Sequence, residues 1–208
     1  MTRTLLRRGR GLIESLWQAR VAEVAARSSY QAVGKNWQVR CFSSDSDGKY
    51  DHLTAWERFV MINKGTDHPD EHPYIENKQK GIYLDKATGE VAFRTEDQFD
   101  AGHGWPSFSA PYSEDAVGEE LQEVQFGSER AMATEVISKK DGLHLGHVFQ
   151  DGPEDKGGKR FCINGSALLF VPEDSIGDDN GKAFWKEWRE AREKELDVAG
   201  KSGGSKGR

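Results

Sequence analysis

The chain has 208 residues, 36% hydrophobic and 31% charged, with 23 glycines and two cysteines, Cys41 and Cys162. That admits one core of ordinary size with tails, and it excludes both a multi-disulfide framework and a four-cysteine zinc site. No apolar run approaches the roughly 18–20 residues of a bilayer-spanning helix, so no membrane role is expected, and the glycine count favours a turn-rich, strand-rich domain.

The net charge of −6 is unevenly spread. Residues 1–42 carry eight bases (Arg3, Arg7, Arg8, Arg10, Arg20, Arg27, Lys35 and Arg40) against Glu14 and Glu23, which leaves −12 on the remainder. Such a body is a poor surface for nucleic acid. Within residues 1–27, Leu12, Ile13, Leu16, Trp17, Val21 and Val24 recur at helical spacing between arginines, the composition of a mitochondrial transit peptide. Arg40-Cys41-Phe42-Ser43-Ser44 is similar to a mitochondrial processing pattern, which predicts cleavage near Phe42 and a matrix location. The alternative is an amphipathic docking helix on a cytoplasmic protein.

Residues 43–52 read as a Ser/Asp/Gly/Lys linker. Thr54 as N-cap, an acid in the first turn and Gly65 as stop predict a short helix with Trp56, Phe59 and Val60 on its apolar face. Residues 68–80 read as loop. Residues 82–84 and 91–93 flank Ala87-Thr88-Gly89, a hairpin signature. Further strands are expected at 135–138, 143–150 and 160–171. Asp179 and Asn180 are placed to cap a final helix, within 175–198, that carries Phe184, Trp185 and Trp188, and residues 199–208 read as a disordered tail. The result is one mainly antiparallel β-domain over 53–174 with helices at its flanks.

Three segments differ from scaffold. In Phe99-Asp-Ala-Gly-His-Gly-Trp-Pro-Ser-Phe108, two glycines and a proline fix an unusual turn around Trp105, which either lines a pocket or plugs the end of a sheet. In His144-Leu-Gly-His147-Val-Phe-Gln-Asp151, the two histidines face opposite sides of a strand unless Gly146 marks a bulge. They are structural histidines or, with His103 or Asp151, metal ligands. In Arg160-Phe-Cys162-Ile-Asn164, alternation puts Arg160, Cys162 and Asn164 on one strand face. A guanidinium beside the thiol favours thiolate, and an amide there can hold a substrate oxygen or orient a histidine. Cys162 is therefore a candidate nucleophile, against the inert buried cysteine that most lone thiols are.

Together the three segments resemble the methionine-R-sulfoxide reductase (MsrB) family, whose pattern runs Gly-x-Gly-Trp-Pro-Ser-Phe, His-Leu-Gly-His-Val-Phe-x-Asp-Gly-Pro and Arg-[Tyr/Phe]-Cys-x-Asn-x-x-[Ser/Ala]-Leu. They stand here at 102–108, 144–153 and 160–168, and the resemblance extends over roughly 53–172. It implies a mainly β fold, two antiparallel sheets in a compact barrel-like domain with helices outside. It also implies Cys162 as nucleophile on the sulfoxide sulfur and Arg160 with Asp151 as a charged pair tuning its surroundings. His147, helped by His144 and Asn164, would deliver a proton to the oxygen, and Trp105 with Phe149 would form the wall for the substrate methyl. A sulfenic acid would result, reduced by thioredoxin or a glutathione system, with oxidised proteins as substrates.

Two departures from the pattern matter. Many relatives hold structural zinc through two Cys-x-x-Cys pairs, but the matching positions here are Asp85, Thr88, Ser138 and Asp141, so a zinc-free, cofactor-free enzyme is expected. Many relatives also carry a resolving cysteine where this chain has His103. Only Cys41 could replace it, and cleavage near Phe42 would remove Cys41. The competing readings are a non-catalytic ligand-binding β module and a mononuclear metal enzyme using His103, His144 and His147. The combined set of histidines, Asp151, Arg160, Cys162 and Asn164 exceeds what a silent scaffold needs.

Overall fold

The computed structural model describes residues 48–126 and 129–203; the helix expected within 1–27, the processing pattern and Cys41 lie outside the described residues. Helix α1 spans Ala55–Met61 behind the N-cap Thr54. Its capping box is reciprocal: the Glu57 amide donates to Thr54 Oγ1 at 3.2 Å and the Thr54 amide to Glu57 Oε2 at 2.8 Å. Glu57 Oε1 then accepts from Lys86 Nζ at 2.8 Å, a buried ion pair that ties the helix to the turn after the first strand.

Strands β1 (Gly81–Asp85) and β2 (Val91–Arg94) form the expected hairpin, and β9 (Leu168–Pro172) pairs with β1 on its other side. The second sheet has the order β3-β4-β8-β7-β6-β5. Its strands are β3 (Gln98–Phe99), β4 (Ser107–Phe108), β5 (Val117–Phe126), β6 (Glu129–Ser138), β7 (His144–Phe149) and β8 (Arg160–Ile163). Among the described residues every strand pairing is antiparallel. Both sheets stay open, so the expected pair of antiparallel sheets is present but they do not close into a barrel.

Aromatic rings join the sheets. Phe93 and Phe108 stack with centroids 4.5 Å apart, Tyr83 meets Phe108 edge-on at 5.2 Å, and Phe93 meets Phe161 at 5.9 Å. The three-stranded sheet is covered on both faces, which explains its near-continuous apolar runs. Tyr83, Leu168 and Phe170 face the central core, while Ile82, Leu84, Leu169 and Val171 meet Phe184 and Trp188 of α2 (Lys182–Gly203). Asp179 Oδ2 accepts from the Ala183 amide at 2.7 Å, as the sequence suggests, although the helix starts at Lys182 and continues to Gly203.

The run 160–171 is not one strand. It breaks after Ile163 into a 3₁₀ turn, Gly165–Ala167, and resumes as β9 in the other sheet. This break carries the chain between sheets and leaves Cys162 on β8, flanked by β4 and β7.

Candidate active site

Cys162 lies in the middle of a sheet face. Across the ladders it opposes His147 on β7 and Ser107 on β4. Directly opposed residues have Cβ atoms roughly 4.5–5.5 Å apart, so the imidazole and the thiol share one surface. The thiol is half-buried and free. Burial pushes its pKa above the ordinary thiol value, and the hydrogen-bonded Arg160 guanidinium reverses only part of that. The guanidinium favours the thiolate, as the sequence suggests, but desolvation of the thiol is the larger influence.

Arg160 is itself held from two sides. Asp151 accepts from its Nε and Nη2, both at 2.9 Å, and the guanidinium carbon sits 4.5 Å from the centroid of Phe149. The bidentate fork fixes the guanidinium plane, and Phe149 supplies a cation–π face beneath it. Hydrogen bonding to Arg160 in turn keeps Asp151 below the usual carboxylate range.

The two histidines share a face because β7 is bulged. Val136 pairs with Gly146 but Ile137 pairs with His144, so the register shifts by one residue and Leu145 is the extra position. The rings meet at 5.3 Å. Gly146 is required at this point, since a Cβ there would stand 2.1 Å from the Cys162 carbonyl oxygen. His144 is buried and its Nδ1 lies 2.7 Å from Glu135 Oε1. Burial holds both imidazoles below their ordinary value; the push of His144 adds to this at His147, while Glu135 offsets part of it at His144.

Asn164 serves the scaffold. Its Oδ1 accepts from the Asp67 amide at 2.9 Å and its Nδ2 donates to the Leu145 carbonyl at 3.1 Å, which leaves one amide hydrogen uncommitted. Asp67, which no motif includes, is the centre of this side of the site. Its carboxylate accepts from Trp56 Nε1 at 2.9 Å and from the Ser166 amide at 2.8 Å, and its carbonyl accepts from Trp105 Nε1 at 2.9 Å. Trp105 is thus pinned through its indole N–H and left half-buried, in a loop where Gly104 has φ +79° and its carbonyl accepts from the Asp70 amide. Asp67 also lines a small cleft, open to solvent, with Trp56, His68, Glu71, His72 and Ser166.

His103 is exposed in the same loop. Among the described residues, no group of three or more His, Cys, Asp or Glu side chains is arranged to hold a metal ion. Asp85, Thr88 and Ser138 do converge: Asp85 Oδ2 accepts from Thr88 Oγ1 at 2.6 Å and from Ser138 Oγ at 2.5 Å, with the charge of Asp141 close enough to act on it. One carboxylate and two hydroxyls already bonded to it do not make a tetrahedral thiolate site.

Sequence reading missed Lys64, Asp67, Gln122 and Glu135. Only Glu135 left a trace, as an acid inside a predicted strand. The sequence model of one protein family, described as the SelR domain, matches residues 53–172, more than half of the chain and the stretch that carries every residue of this site.

Proposed function

The chain belongs to the SelR family, the methionine-R-sulfoxide reductase domain, and reduces methionine sulfoxide; on that premise we propose that Cys162 is its nucleophile and His147 its acid. The observation that carries the assignment is the direct opposition of His147 and Cys162 across β7 and β8, with the Arg160 guanidinium on the same thiol.

The Cys162 sulfur attacks the sulfoxide sulfur as its thiol proton passes to His147, and His147 gives a proton in turn to the sulfoxide oxygen, which is a poor leaving group until protonated. Collapse of this adduct transfers the hydroxyl to Cys162. The methionine sulfur gains the electron pair that the cysteine sulfur loses, giving methionine and a sulfenic acid. Arg160 favours the anionic sulfur as it forms, because charge on the thiolate is met by a fixed guanidinium. Trp105 and Phe149 bound the substrate methyl, and Asn164 positions the turn beneath the cysteine. An apolar wall opposite a proton donor is a chiral arrangement suited to the R epimer.

Regeneration takes an external thiol, thioredoxin or a glutathione system. It condenses with the sulfenic acid, water leaves, and a second thiol frees Cys162. Oxidised proteins are the substrates, and no metal or organic cofactor takes part. Residues 1–42 act as a mitochondrial presequence; a reporter fused to them is expected in the matrix, and a cytosolic reporter would refute this.

The deciding experiment offers separated R and S sulfoxide epimers with dithiothreitol. The wild type is expected to consume R and leave S, and Cys162→Ser is expected to abolish turnover without unfolding the domain. Equal use of both epimers, or appreciable turnover by the serine variant, would overturn the reading.

A further inference from the structure

Behind the two histidines stand three residues that no motif contains, on three different segments. Lys64 Nζ donates to Glu135 Oε2 at 2.6 Å and to Gln122 Oε1 at 3.4 Å. Glu135 Oε1 lies 2.7 Å from His144 Nδ1, and Gln122 Nε2 lies 3.3 Å from His147 Nε2. The donor and acceptor inventory then fixes the protons. An ammonium only donates, so the Gln122 oxygen faces Lys64 and the amide NH₂ faces His147. An amide nitrogen only donates, so His147 Nε2 accepts and the ring proton is on Nδ1. A carboxylate only accepts, so His144 also carries its proton on Nδ1. The sheet order β8-β7-β6-β5 puts Gln122 on the side of β7 away from Cys162, which leaves the His147 Nδ1–H as the nitrogen free to serve the reacting atoms.

Lys64 occupies an unusual backbone position for this purpose. Its φ is +56°, a conformation that glycine adopts freely and lysine does not. From that position its ammonium reaches both Glu135 and Gln122.

We propose that Lys64 is a positioning residue of the reductase: through Gln122 and Glu135 it locks His147 and His144 as Nδ1–H tautomers. This inference rests on the reading of His147 as the proton carrier. Protonation at His147 Nε2 would set N–H against the Gln122 N–H, so the neutral ring is favoured; its Nδ1–H faces the sulfoxide oxygen, and the proton given up there is replaced at Nδ1 by that of the Cys162 thiol. The titratable and charged groups around it are His144 on β7, Glu135 on β6, Lys64 after α1 and Cys162 on β8. Burial and the His144 and Lys64 charges lower its pKa, with Glu135 opposing.

The test is nitrogen-15 NMR of the imidazoles over a pH titration, paired with kcat and KM for the R epimer, in wild type, Lys64→Gly and Lys64→Arg. Wild type should show both rings neutral near pH 7 with the proton on Nδ1. Lys64→Gly relieves the backbone, so its unfolding temperature should hold or rise. Its Gln122 amide becomes free to turn over, His147 should become a tautomer mixture that titrates at higher pH, and kcat should fall about 10- to 100-fold with little change in KM. Lys64→Arg keeps a donor and should restore most of kcat. Should Lys64→Gly fail to fold, Gln122→Glu carries the same test, because a carboxylate would accept from Nε2–H and raise the His147 titration. Wild-type tautomers, titration and kcat in Lys64→Gly, or no rise in Gln122→Glu, would overturn the proposal. If the wild type turned over neither epimer, the reductase reading would fail while the NMR still decided the tautomers.

Discussion

Asp85 offers a pH-dependence that can be worked out before any measurement. Its carboxyl is buried, accepts from the Ala87 amide, Thr88 Oγ1 and Ser138 Oγ, and is pushed up by burial to about 6 from an ordinary 3.8. A raised carboxyl pKa means the folded protein binds the proton more tightly than the unfolded chain. The contribution to stability is thus full below about pH 3.8, falls as pH rises through about 6, and is constant above that. A shift of roughly two pH units corresponds to about 3 kcal/mol, of which about 2 kcal/mol falls between pH 4.5 and 8. Other carboxylates act with the opposite sign at lower pH: Asp151, Glu57 and Glu135 are all held below their ordinary values, so what they contribute is lost only as pH falls through those lowered values. The measurement is therefore a difference, urea unfolding of wild type against Asp85→Asn at several pH values. The asparagine variant should gain about 2 kcal/mol relative to wild type from pH 4.5 to pH 8, and a difference that stays flat or falls would refute the reasoning.

Gly146→Ala should cost several kcal/mol, on the order of the two or three ladder bonds lost when β7 and β8 separate, and should take activity with it; denaturant unfolding and turnover would show this, and a stable, active alanine variant would contradict the close approach at the Cys162 carbonyl. Arg160→Met removes the one cation that favours the thiolate, so the pH at which iodoacetamide alkylates Cys162 should move upward from wild type. In the mature protein after one turnover without reductant, dimedone should label Cys162 as a sulfenic acid, read by mass spectrometry, whereas a Cys41–Cys162 disulfide would show that the amino-terminal cysteine is retained and resolves it.

Local signals were legible in the chain by itself. Thr54 and an acid in the first turn announce a helix start, Ala87-Thr88-Gly89 announces a hairpin, and the motifs around Trp105, His147 and Cys162 bring the candidate residues into one list, because each depends on neighbours a few positions away. Strand β5 was not legible. It is an acidic edge strand whose Leu121 is 69% exposed, so it carries no alternating apolar face and is held instead by its ladder to β6. The break of 160–171 into β8 and β9 was hidden for the opposite reason: both parts are buried and apolar, so hydrophobicity alone reads them as continuous. Tertiary structure also decided the chemistry. A one-residue bulge against β6 turns His144 to the side of His147, and burial overrules Arg160 at the thiol. Lys64, Asp67, Gln122 and Glu135 enter the site from segments far from its motifs. A sequence names the groups able to react, but their protonation and their partners depend on desolvation and on contacts between distant segments, which exist only once the sheets have packed.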